Sequence, residues 1–165
     1  VGETHPVVRK RDGEKYRNFL ETKVKELKIQ NNVKFYNKYV TLSEIISYLE
    51  ASDIYISSSE NPNQITSGTL VYAMGCGRAV ISTPFLHAKD IVTENRGILV
   101  EFRNPESFSN GILELISNWE KRREMEKKKK KKEKKRRGTN QKISNSLKFF
   151  KFLLTCDFSI NFCLN

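Results

Sequence analysis

The densest run of potentially reactive residues is Gln64-Ile-Thr-Ser-Gly-Thr-Leu-Val-Tyr-Ala-Met-Gly-Cys-Gly-Arg-Ala-Val-Ile-Ser-Thr-Pro84. Thr66 and Ser67 carry hydroxyls of the kind that cap a helix by accepting from its first free N–H groups. Leu70, Val71, Ala73 and Met74 give that helix an apolar side. Gly75 and Gly77 stop it, and Ala79–Ser82 has the short apolar character of a parallel-sheet strand. A helix amino terminus that follows a strand and a loop is a ready anion site, because unpaired N–H groups and the helix dipole act in the same direction. The diphosphate of a nucleotide sugar is one anion that would suit such a site. The plainer alternative is that Ser67 and Gly68 only cap the helix and relieve crowding. No Ser-His-Asp or Cys-His arrangement stands out, and His5 and His87 lack the Cys or carboxylate neighbours of a metal site.

The surrounding pattern alternates. A helix is expected over 14–27, with Tyr16, Phe19, Leu20, Val24 and Leu27 on one side, after a loop from Gly2 to Gly13. Val33–Tyr36 reads as a strand, Leu42–Ala51 as a helix and Asp53–Ser57 as a buried strand. The capped helix and the Ala79–Ser82 strand follow. A short helical segment near Ala88–Val92, a strand over Gly97–Phe102 and a helix from Pro105 through Trp119 complete the order. Strands alternating with helices predict an α/β fold, a Rossmann-like parallel sheet with helices on both faces. In such sheets ligands bind beyond the carboxyl ends of the strands. The loops at Gly2–Pro6, Tyr39–Val40, Ser57–Thr66 and Thr83–His87 would gather at that edge.

Charge divides the 165 residues unevenly. The formal net charge of +11 suggests nucleic acid until it is located. Residues 1–120 carry a net −1, residues 121–137 a net +10 and residues 138–165 a net +2. The body is near neutral and the basicity belongs to the tail. Three cysteines without metal-ligand spacing fit a reduced compartment. No signal-like start and no membrane-length apolar run is present, so a cytoplasmic protein is expected, with association to a membrane surface left open.

The run from Val33 to Phe102 resembles the C-terminal, nucleotide-sugar-binding domain of GT-B glycosyltransferases of the group 1 (family 4) type. The residues that carry the resemblance are Val33-Lys-Phe-Tyr36, Asp53-Ile-Tyr-Ile-Ser-Ser-Ser-Glu60, Ala73-Met-Gly-Cys-Gly-Arg-Ala-Val80 and Arg96-Gly-Ile-Leu-Val100. Gly2-Glu-Thr-His-Pro6, Gln64-Ile-Thr-Ser-Gly-Thr-Leu70 and Ser82-Thr-Pro-Phe-Leu-His-Ala88 resemble one branch of that group. The resemblance implies the C-terminal half of a GT-B fold, incomplete at its N-terminus, and transfer of a glycosyl group from a nucleotide sugar to an acceptor hydroxyl. It implies donor-binding roles for Gln64, Thr66, Ser67, Gly68, Thr69 and Tyr72, with the N–H groups of Ser67, Gly68 and Thr69 stabilising the charge on the departing diphosphate. Tyr39 and Val40 match the segment that meets the nucleotide base, and His5 lies in the first matching loop. Gln64 and Tyr72 stand where most members carry two glutamates; both still offer hydrogen bonds to sugar hydroxyls. No cofactor and no metal are expected, because helix dipole and basic side chains hold the diphosphate in such enzymes. The donor sugar, base, acceptor saccharide or lipid and stereochemical outcome stay open. The acceptor domain is not part of the sequence, so the chain is expected to bind donor without turning it over. A non-catalytic nucleotide-sugar-binding module or subunit is one alternative, and a polyanion-binding protein acting through its Lys-rich tail is another.

The domain reading is therefore a partial donor-binding domain over 1–120, a Lys-rich charged helix or tail over 121–137, and a third segment over 138–165. The Lys-rich run would be solvated or would meet an anionic surface nonspecifically. The last segment is rich in Phe, Asn, Ile, Leu and Lys. It reads either as a non-native reading frame or as a true extension with an apolar docking segment at Phe149, Phe150, Phe152, Leu153 and Leu154.

Overall fold

The computed structural model describes residues 1–133 and 152–154. Its centre is a sheet of four parallel strands: β1 (Ile54–Ser57), β2 (Ala79–Ser82), β3 (Gly97–Leu99) and β4 (Phe152–Leu154), in the order β3-β2-β1-β4. Tyr55 lies opposite Val80, and Ile81 opposite Ile98. Successive strand residues point to opposite faces, and each face is covered. Tyr55 and Val80 pack with Leu49 of α3 (Leu42–Ala51), Leu70 and Ala73 of α4 (Gly68–Gly75), and Ala88 of α5 (Leu86–Ile91). On the other face Ile54 and Ile81 pack with Leu115 of α6 (Pro105–Ser117) and Met125 of α7 (Trp119–Glu133). This is the expected α/β sheet with helices on both faces.

Two glycines let the layers meet closely. A Cβ on Gly97 would lie 2.5 Å from the Val80 carbonyl oxygen and 2.8 Å from Val92 Cγ1. A Cβ on Gly111 would press to 3.3 Å from Val100 Cγ1, where α6 crosses the sheet.

Several local expectations change. The Gly2–Gly13 loop contains a helix, α1 (Pro6–Asp12), because Pro6 at its first turn is preorganised for a helix and His5 Nδ1 accepts from Val7 N–H at 3.3 Å. The helix expected over 14–27 is α2 (Lys15–Glu26), but neither α1 nor α2 contains a buried residue. Val33–Tyr36 forms no strand. Among the described residues no ladder runs beside it: Gly2 N–H donates to Tyr36 O at 3.0 Å, a single bond where a strand needs a series. The strand after Arg96 stops at Leu99, and Arg103 adopts a positive φ of 53° in the turn that follows.

The last long helix is two. Asn118 ends α6, and its Oδ1 then accepts from Lys121 N–H at 2.9 Å as a cap for α7. Core packing continues past residue 120: Arg122 and Met125 are buried, and Arg122 Nη1 donates to Leu115 O at 2.6 Å. The α7 backbone carries the Lys-rich run as far as Glu133, and residues 134–137 lie outside the described residues. Of the last segment, only Phe152–Leu154 is described, paired in parallel with β1. Phe149 and Phe150 lie outside the described residues, as does the rest of 138–165.

Candidate functional site

Three loops meet where the parallel strands end. The loop after β1 runs from Ser58 to Ser67, the loop after β2 from Thr83 to Phe85, and the turn after β3 from Val100 to Asn104. Thr83 ties the first two together: its N–H donates to Ser57 O at 3.1 Å and its hydroxyl to Ser59 O at 2.5 Å. Leu86 N–H donates to Pro62 O at 3.0 Å and His87 N–H to Gln64 O at 3.2 Å. Between the first and third loops, Arg103 Nε donates to Glu60 Oε2 at 3.1 Å.

The first loop delivers the chain to the amino end of α4. Ser67 is extended, 2% exposed, and caps the helix through its hydroxyl, which accepts from Leu70 N–H at 3.4 Å. Gly68 and Thr69 are the first two helical residues, whose N–H groups have no intrahelical acceptor. The Ser67 N–H is different. It donates to His87 Nδ1 at 2.9 Å, so of the three expected donors this one already has a partner inside the protein. The sequence motif reads only along the chain, whereas this bond spans twenty residues.

The other expected residues fall into two groups. Gln64, Thr66, Ser67, Gly68, Thr69 and Tyr72 are gathered around the start of α4. Gln64 is held at both ends of its amide, Oε1 accepting from the Ser59 hydroxyl and Nε2 donating to Thr66 O at 3.0 Å. Part of its hydrogen-bonding capacity therefore shapes the loop, with one N–H and one lone pair in reserve. Thr69 Oγ1 accepts from the Tyr55 hydroxyl at 2.8 Å. Tyr72 is 38% exposed, and its ring edge would meet a Cβ on Gly68 at 3.9 Å. It therefore stands beside the helix opening and outside the core.

The second group is not joined to the first. His5 caps α1 and is exposed. Tyr39 is 77% exposed, and Val40 is half-buried just before α3. None of the described hydrogen bonds connects these three residues with the α4 cluster. Both arginines of the first helix are engaged locally, Arg9 with Glu3 and Glu14, Arg11 with Asp12. Among the described residues, no three His, Cys, Asp or Glu side chains gather as a metal-holding group. Sequence reasoning placed the loops of Ser59, Thr83 and His87 at the ligand edge but gave none of the three a role in the site. The Ser82–Ala88 motif was the available signal, since it contains both Thr83 and His87.

A family model described as glycosyl transferases group 1 matches residues 2–132. The chain belongs to the group 1 glycosyl transferases. It is 36% identical over 89 residues to an uncharacterized glycosyltransferase, MJ1069, of Methanocaldococcus jannaschii. That alignment takes in 53% of this chain and 22% of the relative, so the chain spans about a fifth of the curated protein it matches. Sucrose-phosphate synthase from Thermosynechococcus elongatus is similar in structure, with a TM-score of 0.65 and 18% identity over 81% of this chain and 32% of its own. The C-terminal domain of the group 1 glycosyl transferase LpcC from Francisella tularensis is also similar. Its TM-score is 0.62 at 23% identity, over 74% of this chain and 62% of that domain's chain. At these identities the two structures establish the fold, that of the C-terminal domain of a group 1 glycosyl transferase. Among the described residues, no helix is long and apolar enough to cross a membrane.

Proposed function

We propose that this group 1 glycosyl transferase chain is a donor-binding unit. It would hold the diphosphate of a nucleotide sugar at the amino end of α4 while an acceptor hydroxyl, brought by a further part of the enzyme, attacks the sugar. The observation that carries this reading is the opening of α4 at the carboxyl edge of the sheet. There the Gly68 and Thr69 N–H groups lack intrahelical acceptors and Tyr72 stands partly exposed beside them.

The chemistry follows from charge. As the bond from the sugar to the diphosphate breaks, negative charge grows on the departing oxygen. Fixed N–H donors and the positive end of a helix stabilise that charge without having to reorganise. Held this way, the diphosphate needs no metal ion. Gln64 and Tyr72 would hydrogen-bond sugar hydroxyls. Turnover would need the acceptor-binding part, so donor binding without transfer is the expected behaviour of this chain alone.

Titration calorimetry of the 165-residue chain with uridine, guanosine and adenosine diphosphates tests the reading. Saturable one-to-one binding of at least one of them is expected. A Gly68→Pro substitution, which removes the N–H at the first helical position where proline is tolerated, should weaken it about tenfold or more, the loss of one charge-assisted hydrogen bond. No binding by the wild-type chain, at concentrations where it is folded, would end the donor-site reading.

A further inference from the structure

The start of α4 has a partner on the other loop, and that partner is a histidine. Ser67 is 2% exposed, so its N–H requires an acceptor inside the protein. His87 Nδ1 provides it at 2.9 Å. The imidazole is itself held from its backbone: His87 N–H donates to Gln64 O at 3.2 Å and Leu86 N–H to Pro62 O at 3.0 Å. Two residues before it in sequence, the fully buried Phe85 anchors the loop in the core. The result is a ring of contacts in which each loop fixes the other, and the histidine reaches across to the residue that caps the helix.

Resting on the donor-site reading, we propose that His87 is the positioning residue of that site. By accepting the Ser67 N–H it fixes the extended conformation of the cap residue, and with it the direction in which the Gly68 and Thr69 N–H groups point. With Nδ1 as acceptor, the proton of the neutral ring sits on Nε2. The role is specific to an acceptor at the Nδ1 position. Asparagine carries its amide oxygen at about the same reach from Cα. Glutamine carries it one bond too far, and leucine fills similar space with no acceptor at all.

Three variants of the full chain separate these possibilities: H87N, H87Q and H87L. The readouts are hydrogen exchange of the Ser67 amide, followed by NMR without ligand, and affinity for the tightest of uridine, guanosine and adenosine diphosphates. In H87L the Ser67 amide should exchange about tenfold faster and the diphosphate dissociation constant should rise about tenfold, the scale of one lost internal hydrogen bond. H87N should stay within about threefold of wild type on both measures. H87Q, polar but misplaced, should behave like H87L and covers the case in which H87L does not fold.

Diphosphate affinity unchanged in H87L or H87Q while Ser67 protection is lost would overturn the positioning role and leave the donor site standing. A folded H87N as weak as H87L would overturn it too, by showing that the ring matters for its shape. If the wild-type chain binds none of the three diphosphates, the donor-site reading fails and the positioning role falls with it. Ser67 exchange would still report whether the bond exists.

Discussion

The two ends of the described body are built on different physics. From α3 to the first turns of α7, strands and helices bury Leu49, Ile54, Tyr55, Leu70, Val80, Ile81, Phe85 and Leu115 to 1% exposure or less. The first two helices contain no fully buried residue: Tyr16 and Phe19 are each 53% exposed, and Leu27, just after α2, is 65% exposed. That end is joined by polar contacts centred on Glu14, which accepts from the Thr4 hydroxyl and from Arg9 Nε at 2.8 Å and lies 3.7 Å from Arg17 Nε. The Thr4 hydroxyl first, and the Arg9 guanidinium after it, hold the Glu14 carboxyl below the ordinary glutamate range. Ion pairs at the surface contribute little, because water and salt screen them. Both regions contain well-formed helices, so helix content alone says little about where stability resides. Apolar area removed from water does.

The sharpest break in this comparison is Phe85→Ala. It removes a fully buried ring from the loop that faces the α4 opening and should cost about 4 kcal/mol, read as a lower midpoint in urea unfolding. An intermediate case is the start of α3. Thr41 and Glu44 form a reciprocal capping box there, with Lys38 Nζ 2.7 Å from Glu44 Oε1. Thr41→Ala should lower stability by about 1 kcal/mol in the same unfolding measurement.

The box also carries a pH signature. Lys38 above all, and then the Thr41 N–H and hydroxyl, hold Glu44 down at about 2. A depressed carboxyl contributes fully above its unfolded-state pKa and loses that contribution as pH falls through its folded-state value. Melting midpoints of wild type and Glu44→Gln should therefore differ at pH 6 and converge toward pH 2. A constant gap across that range would remove the cap from the explanation. The smallest effect belongs to Phe19→Ala on α2. The ring stacks loosely with Tyr16, centroids 6.3 Å apart, and its loss should change stability by no more than about 0.5 kcal/mol. A larger loss would mean that the exposed face of α2 is covered in solution.

Much of the core was legible because its signals are local. Leu42–Ala51 has helical spacing and a Thr-x-x-Glu start, and Ala79–Ser82 is an apolar run after a glycine stop. Val33–Tyr36 has the same local look as a strand, yet strand formation requires a neighbour, and the residues opposite supply only one hydrogen bond. The break at Asn118 was hidden by continuous helical propensity on both sides. The reach of the core to Arg122 and Met125 was hidden by the lysines that follow. At the site, the α4 opening could be read from Thr66, Ser67 and Gly68 alone. The His87 bond could not, because nothing local to either residue reports that β1 and β2 lie side by side and bring their loops together.

The pairing of β4 with β1 sets a timetable for synthesis. About ninety residues separate the two strands along the chain, and ribosomes add roughly 5–20 residues per second. For several seconds on each nascent chain, the outer edge of β1 has its neighbour β2 on one side and open backbone on the other. An open strand edge is a template for any extended segment nearby, including another copy of itself. The yield of properly assembled protein should therefore depend on translation speed downstream of α7, where slow decoding prolongs the wait for the strand that closes the edge.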